Sequence, residues 1–284
     1  MLSTGQLGQL ACIWEATARK PGNVHPGRDF HDVTYVDFLA SAVAIAPALD
    51  RAGQQPLGET ILHAIQATQT MVGSNTNLGI VLLLAPLAAV AESTNLREGV
   101  ERVLAGTTVA DAELVYRAIR LASPGGLGEV AEQDVQRPPT QTLREVMTLA
   151  AERDLIARQY ANGYREVFAD AVPGLKAALT RSACLEEAII LAFVELLARH
   201  PDTLIARKQG IEVAEEASRR ARAVLELGWP EPSGRQAFQD LDDWLGDPDH
   251  ARNPGTTADL MAASLFVCLR DGTMTLPCPI PWTR

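Results

Sequence analysis

Ile80-Val81-Leu82-Leu83-Leu84-Ala85-Pro86-Leu87-Ala88-Ala89-Val90-Ala91 is the most apolar stretch of the 284-residue chain. Wound as a helix, it is apolar on every face, so it belongs at the centre of a bundle rather than on a surface. It is too short to span a bilayer, which takes about 20 residues. Pro86 is expected to kink it, because proline lacks the N–H that the carbonyl four residues back would accept.

Outward from this stretch the periodicity is helical nearly everywhere. Phe38, Leu39, Ala42, Val43, Ala46 and Leu49 share one face, and Thr34-x-x-Asp37 reads as the capping box that starts it. Ile61, Leu62, Ile65 and Val72 form a second stripe, and Leu114, Val115, Ala118 and Ile119 a third, stopped at Ser123-Pro-Gly-Gly126. Thr142-x-x-Glu145 caps a longer helix towards Phe168, and Pro173-Gly174 reads as a break. Leu185 to Leu197, residues 203–227, Phe238 to Leu245 and Leu260 to Leu269 carry the rest, the last with Thr256-x-x-Asp259 at its start. No alternating strands flank a hairpin turn, and no dinucleotide or Walker glycine pattern occurs. The prediction is an all-α fold: one multi-helix domain over residues 1–284, built around a buried central helix, with an extended Pro-rich tail at 273–284.

Composition supports this reading. Hydrophobic residues make up 47% and charged residues 21%, which is ordinary for a globular chain. A net charge of −10 excludes non-specific nucleic-acid binding while leaving room for a local basic pocket. Cys12, Cys184, Cys268 and Cys278 are widely separated, as buried reduced thiols are, and form no C-x-x-C pair. Without a secretory signal or a membrane-length apolar run, the expected location is the cytoplasm.

Four polar segments are not needed by a bundle. The first, Arg19 to Asp32, sets His25, His31, Asp29 and Asp32 among cations between two Pro-Gly turns; it reads as a ligand loop, a hard-cation site or a solvated surface loop. The second, Gly73-Ser-Asn-Thr-Asn-Leu-Gly79, leads into the apolar helix. A helix start favours phosphate, although Asn75 or Thr76 could equally be a simple cap. The third, Asp202-Thr-Leu-Ile-Ala-Arg-Lys208, places two cations one turn beyond a capping residue, where they oppose the dipole and want an anion. The fourth, Asn253-Pro-Gly-Thr-Thr-Ala-Asp259, is another glycine turn into an apolar helix, with Asp259 as cap or cation ligand.

Taken in order, these segments resemble the triphosphoribosyl-dephospho-coenzyme A synthase family. The likeness runs from Glu15 to about Leu269. It rests on Lys20-Pro-Gly22 with Asp32, Asn75-Thr76-x-x-Gly79, Asp202-Thr203 with Lys208, and Gly255-x-Thr257-Ala-Asp259-Leu. The resemblance implies an all-helical enzyme that moves the triphosphoribosyl group of ATP to dephospho-coenzyme A and releases adenine. It further implies Lys20, Gly22, Asn75, Thr76, Gly79, Arg207 and Lys208 as nucleotide and phosphate contacts. Glu15, Asp32, His25 and His31 become catalytic candidates, and Asp32, Asp202 and Asp259 candidate ligands of Mg²⁺ carried with ATP.

The chain departs from the family pattern at Asn23, His25 and Phe30 in the first segment, and at Asn77 and Leu78, where His-Lys is usual. These departures look like a divergent, archaeal or methylotroph-like branch, which could keep ATP while using another acceptor, such as a pterin-type precursor in one-carbon cofactor synthesis. A non-catalytic nucleotide-binding protein is a third reading. A homodimer is expected, since helical enzymes commonly pair through apolar faces.

Overall fold

The apolar stretch forms the core of a helix that begins at Leu78 and ends at Ala88, in which every residue except Gly79 is buried. It is the fourth of fourteen α-helices in a computed structural model that describes residues 2–125, 132–247 and 249–283; no strand occurs among them. In chain order these are α1 (Thr4–Thr17), α2 (Tyr35–Asp50), α3 (Leu57–Met71), α4 (Leu78–Ala88), α5 (Leu96–Ala105), α6 (Val109–Ala122) and α7 (Leu143–Ala150). Then follow α8 (Leu155–Asn162), α9 (Val172–Arg181), α10 (Leu185–Arg199), α11 (Thr203–Gln209), α12 (Ile211–Glu226), α13 (Pro232–Leu245) and α14 (Gly255–Arg270).

Two helices make the centre. α4 packs on α14, which is itself buried along almost its whole length and also touches α1, α9 and α10. Each buried leucine at this centre contributes on the order of 1.5–3 kcal/mol. Pro86 lies inside α4 and deprives the carbonyl of Leu82 of its usual donor. Tyr160 supplies the replacement: its Oη donates to the Leu82 carbonyl at 2.6 Å, and Tyr164 Oη donates to that of Leu83 at 2.9 Å. Both tyrosines are fully buried, so their hydroxyls and these carbonyls satisfy one another away from water.

The capping boxes at Thr34 and Thr142 form as the spacing predicts. Four expectations are corrected. The helix expected from Thr142 towards Phe168 is two helices, because Asp154 caps a new start at α8 and Gly163 ends it in the left-handed region at φ +70°. Pro173 does not break the chain; it sits in the first turn of α9, where a missing N–H costs nothing, after a π-helical turn at Val167–Ala171. Residues 203–227 divide at Gly210, whose φ of +94° separates α11 from α12. Lastly, Thr256 does not cap α14, whose early amide at Thr257 bonds instead to Asp202. The sequence also gave no notice of α5, which Asn95 caps.

Beyond α14 the tail carries no helix. The carbonyls of Pro281 and Trp282 accept from the first amides of α10, Leu185 and Glu186, at 2.8 and 3.0 Å. The tail thus completes a helix start whose Cys184 offers no side-chain cap.

Candidate active site

α4, α8, α11 and α14 all begin at one cavity of about 1310 Å³, closed further by the end of α1, the loop after it and residues 249–253. Glu15, Asp32, Asn75, Thr76, Gly79, Arg207, Lys208 and Asp259 line it, so all four polar segments meet there.

The first segment is pinned to α13. Gly22, at φ +72°, donates its N–H to Asp242 at 2.7 Å, and Arg28 grips both oxygens of Asp242 at 2.5 Å. Gly22 is therefore a turn residue outside the cavity wall rather than a phosphate contact. Lys20 is also corrected. It is completely buried, pairs with Glu15 at 3.0 Å, and donates to the carbonyls of Glu15 and Ala18. A buried carboxylate without a partner is costly, so the ammonium serves Glu15 from behind the wall and is closed to a ligand. His25 also lies off the cavity. Its Nδ1 accepts from the Gly27 amide at 3.0 Å, and burial, then Arg28, lower its pKa to about 4. His31 is exposed and stands just outside the wall, beside His250, which does line it.

In the second segment, Asn75 Oδ1 accepts from the first amide of α4, that of Leu78, at 3.2 Å, while the N-cap residue Asn77 makes no side-chain cap bond. Thr76 shares a short hydrogen bond with Ser41. The amides of Gly79 and Ile80, next in the turn, have no side-chain partner among the described residues and sit at the positive end of the helix, on the cavity wall. In the third, Asp202 is fully buried and both its oxygens are spent. One accepts from the amides of Leu204 and Ile205, the other from the amide and hydroxyl of Thr257. It caps α11 and ties it to α14, which leaves no lone pair to direct at a metal; the expected metal role for Asp202 is corrected. Arg207 donates to the Gly125 carbonyl at 3.1 Å and pairs with Asp154 at 3.4 Å. Lys208 is half-buried, donates to His250 O and Asn253 Oδ1 at 3.1 Å each, and has its pKa lowered by burial and by Arg207.

Asp259 is the outlier. It faces the cavity with no hydrogen bond to any described residue, and its pKa is pushed well above the carboxylate range by burial, then by Glu15, Asp202 and Asp154, with Arg207 opposing. Among the described residues the wall carries six further carboxylate residues, Glu15, Asp32, Asp134, Glu152, Asp154 and Asp249, against three cations, Arg153, Arg207 and Lys208. A polyanion enters such a wall only with positive charge of its own or with protons on some carboxylates. A second stretch of wall is apolar: Ile119, Ala122, Val135, Val146, Met147 and Ala150.

Asp154 and His250 were missed at the level of sequence. Asp154 sat inside a pattern that read as one helix, although an Asp before Leu155-Ile156-Ala157 is a capping signal. His250 lies in the Asp247-Pro-Asp-His-Ala-Arg-Asn253 run that directly precedes the fourth segment. No local spacing joins it to His31.

Residues 1–276 match the family model for ATP:dephospho-CoA triphosphoribosyl transferase. A comparison with curated proteins finds no match. Among solved structures, a crystal structure from Archaeoglobus fulgidus, named provisionally as a triphosphoribosyl-dephospho-coA synthase, is similar at 27% identity and a TM-score of 0.63. The likeness covers 82% of this chain and 99% of that one.

Proposed function

The chain belongs to the ATP:dephospho-CoA triphosphoribosyl transferase family, and from that premise we propose that it transfers the triphosphoribosyl group of ATP to dephospho-CoA in this cavity. The observation that carries the reading is the convergence of Asn75, Gly79, Arg207, Lys208 and Asp259 on one cavity of about 1310 Å³. Single small-molecule sites run to roughly 300–1,000 Å³, so there is room for a nucleotide and a second, sizeable substrate together.

In this reaction the bond between C1′ of the ATP ribose and adenine breaks, and C1′ bonds to the 2′-oxygen of dephospho-CoA. The proton of that hydroxyl goes to a base, and the departing adenine takes up a proton. Asp259, whose pKa is raised by burial and by neighbouring carboxylates, suits the donor to adenine. Glu15, held by Lys20 at the wall, supplies fixed negative charge for the cationic sugar that develops. The free amides at the start of α4, with Arg207 and Lys208, suit the triphosphate. The apolar stretch of wall suits the pantetheine arm of the acceptor.

Mg²⁺ fits this wall. The carboxylates of the wall outnumber its cations, so an ion carried with the triphosphate would balance them; Asp202 has no lone pair to spare and Asp259 is the proton donor in this reading, so neither would hold it. When bound, the ion would screen the phosphates.

The test is chromatography of ATP incubations with and without dephospho-CoA. Free adenine that appears only with dephospho-CoA is the expected result. ADP or AMP would replace this reading by phosphoryl or nucleotidyl chemistry, and adenine release indifferent to dephospho-CoA would move the acceptor elsewhere. No turnover, with ATP still raising thermal stability, would leave a binding protein.

A further inference from the structure

We propose that His31, Asp32 and His250 form a binding site for a first-row divalent transition-metal ion on the rim of the cavity. The three come from two loops far apart in sequence, yet one ligand atom of each lies within 4.8 Å of the others. His31 Nδ1 is 2.9 Å from His250 Nε2 and 3.9 Å from Asp32 Oδ1. Neighbouring ligands on one small ion stand about this far apart, since metal–nitrogen and metal–oxygen bonds are roughly 2.0–2.2 Å.

The ring of His250 is held in place from three sides. Phe30 stacks on it with centroids 3.6 Å apart and planes 16° from parallel. Its own carbonyl accepts from Lys208, and its Nε2 accepts from the His31 amide at 3.3 Å. That last bond makes Nε2 the unprotonated nitrogen of the ring, the tautomer a cation needs; a cation there would take the one lone pair that the His31 amide and ring now share. Asp32 makes no hydrogen bond to another described residue, and both it and His250 face the cavity.

Two imidazole nitrogens and one carboxylate oxygen define the class of ion. Mg²⁺ selects oxygen ligands and gives up its water reluctantly, whereas zinc, cobalt, manganese and iron in their divalent states accept this mixed set and keep positions open for a further ligand. The open side here is the cavity. On the nucleotide reading above, which this role rests on, the open positions would take a phosphate oxygen at the cavity mouth; the metal site itself does not require that reading.

The untagged chain is titrated with Co²⁺ in the absence of nucleotide, and its visible d–d bands are followed. One Co²⁺ per chain is expected, displaced by Zn²⁺ and retained in excess Mg²⁺. His250→Ala and Asp32→Asn are exposed or partly exposed changes, and each should weaken Co²⁺ by more than the roughly 10–100-fold that even outer-shell partners cost. His63→Ala, elsewhere on the surface, should leave binding unchanged. No Co²⁺ band, or equal affinity in His250→Ala, overturns the proposal. Binding without adenine release would uphold the site and fail the transferase reading, and the converse outcome would fail the site alone.

Discussion

Gly79 lies directly beneath Asp259: a Cβ built on it would overlap Asp259 Oδ2 and come within 2.6 Å of Ile156 Cδ1. The glycine of the second polar segment is thus the floor on which the carboxyl group of the fourth rests. Gly79→Ala should gain intrinsic helix propensity and still lose, because the methyl must displace the Asp259 carboxyl or Ile156. Overpacking of this kind costs about 1–3 kcal/mol. Adenine release should fall well beyond what that destabilisation explains, and thermal unfolding with activity measured side by side checks it. A variant with native turnover would detach Gly79 from the site.

Asp259→Asn separates chemistry from fold. The folded-state pKa of Asp259 is raised, so the native state holds its proton more tightly than the unfolded chain does. Stability from this group is therefore full below the ordinary value near 3.8 and is lost as pH rises through the folded pKa. Asparagine cannot ionise, so the variant should be at least as stable as the native protein at neutral pH, while adenine release drops by about 10²–10⁴-fold if Asp259 is the proton donor. Denaturant curves at two pH values, with the adenine assay, test both halves.

Lys20→Met is expected to harm folding rather than ATP affinity. Removing the ammonium leaves Glu15 buried and unpaired, which costs about 3–5 kcal/mol. Adding Glu15→Gln should recover much of that stability. Weaker ATP binding by a still fully stable Lys20→Met protein would restore the phosphate role that its burial argues against.

Tyr160→Phe tests the repair of α4. It removes the shorter of two hydroxyl contacts to the Leu82 carbonyl and leaves only Tyr164 Oη at 3.4 Å, for about 1–3 kcal/mol. Turnover per folded molecule should be unchanged. Urea unfolding reads the effect, and a shift too small to measure would mean that Leu82 finds another donor.

His25 sets an acid limb. Its pKa is lowered from 6.5 to about 4 in the folded protein by burial and by Arg28. Below 6.5 the unfolded chain takes up a proton that the native state refuses, so stability falls as pH drops from 6.5 towards 4. His25→Asn should flatten that limb while leaving adenine release near its native rate, since His25 lies off the cavity. An unchanged pH profile of stability would show that the group is solvated.

The sequence determined the class of fold and the addresses of the site. A run that is apolar on every face, Ile80 to Ala91, has no stable place except the middle of other helices, and period alone identifies most of those helices. Glycine turns that interrupt such periods and carry charge or amide groups mark the corners where helices begin, so the second, third and fourth segments could be picked out one by one. Only the tertiary structure decided which member of each segment meets the cavity. Lys20 and Asp202 look like ligands in one dimension, but both are consumed by burial, one by Glu15 and the other by the start of α14. Asp154 and His250 reach the same cavity from stretches with no ligand-like spacing. A sequence records which groups a loop carries; whether a polar group is spent internally or left open depends on what packs against it, and that is fixed by contacts between segments far apart in the chain.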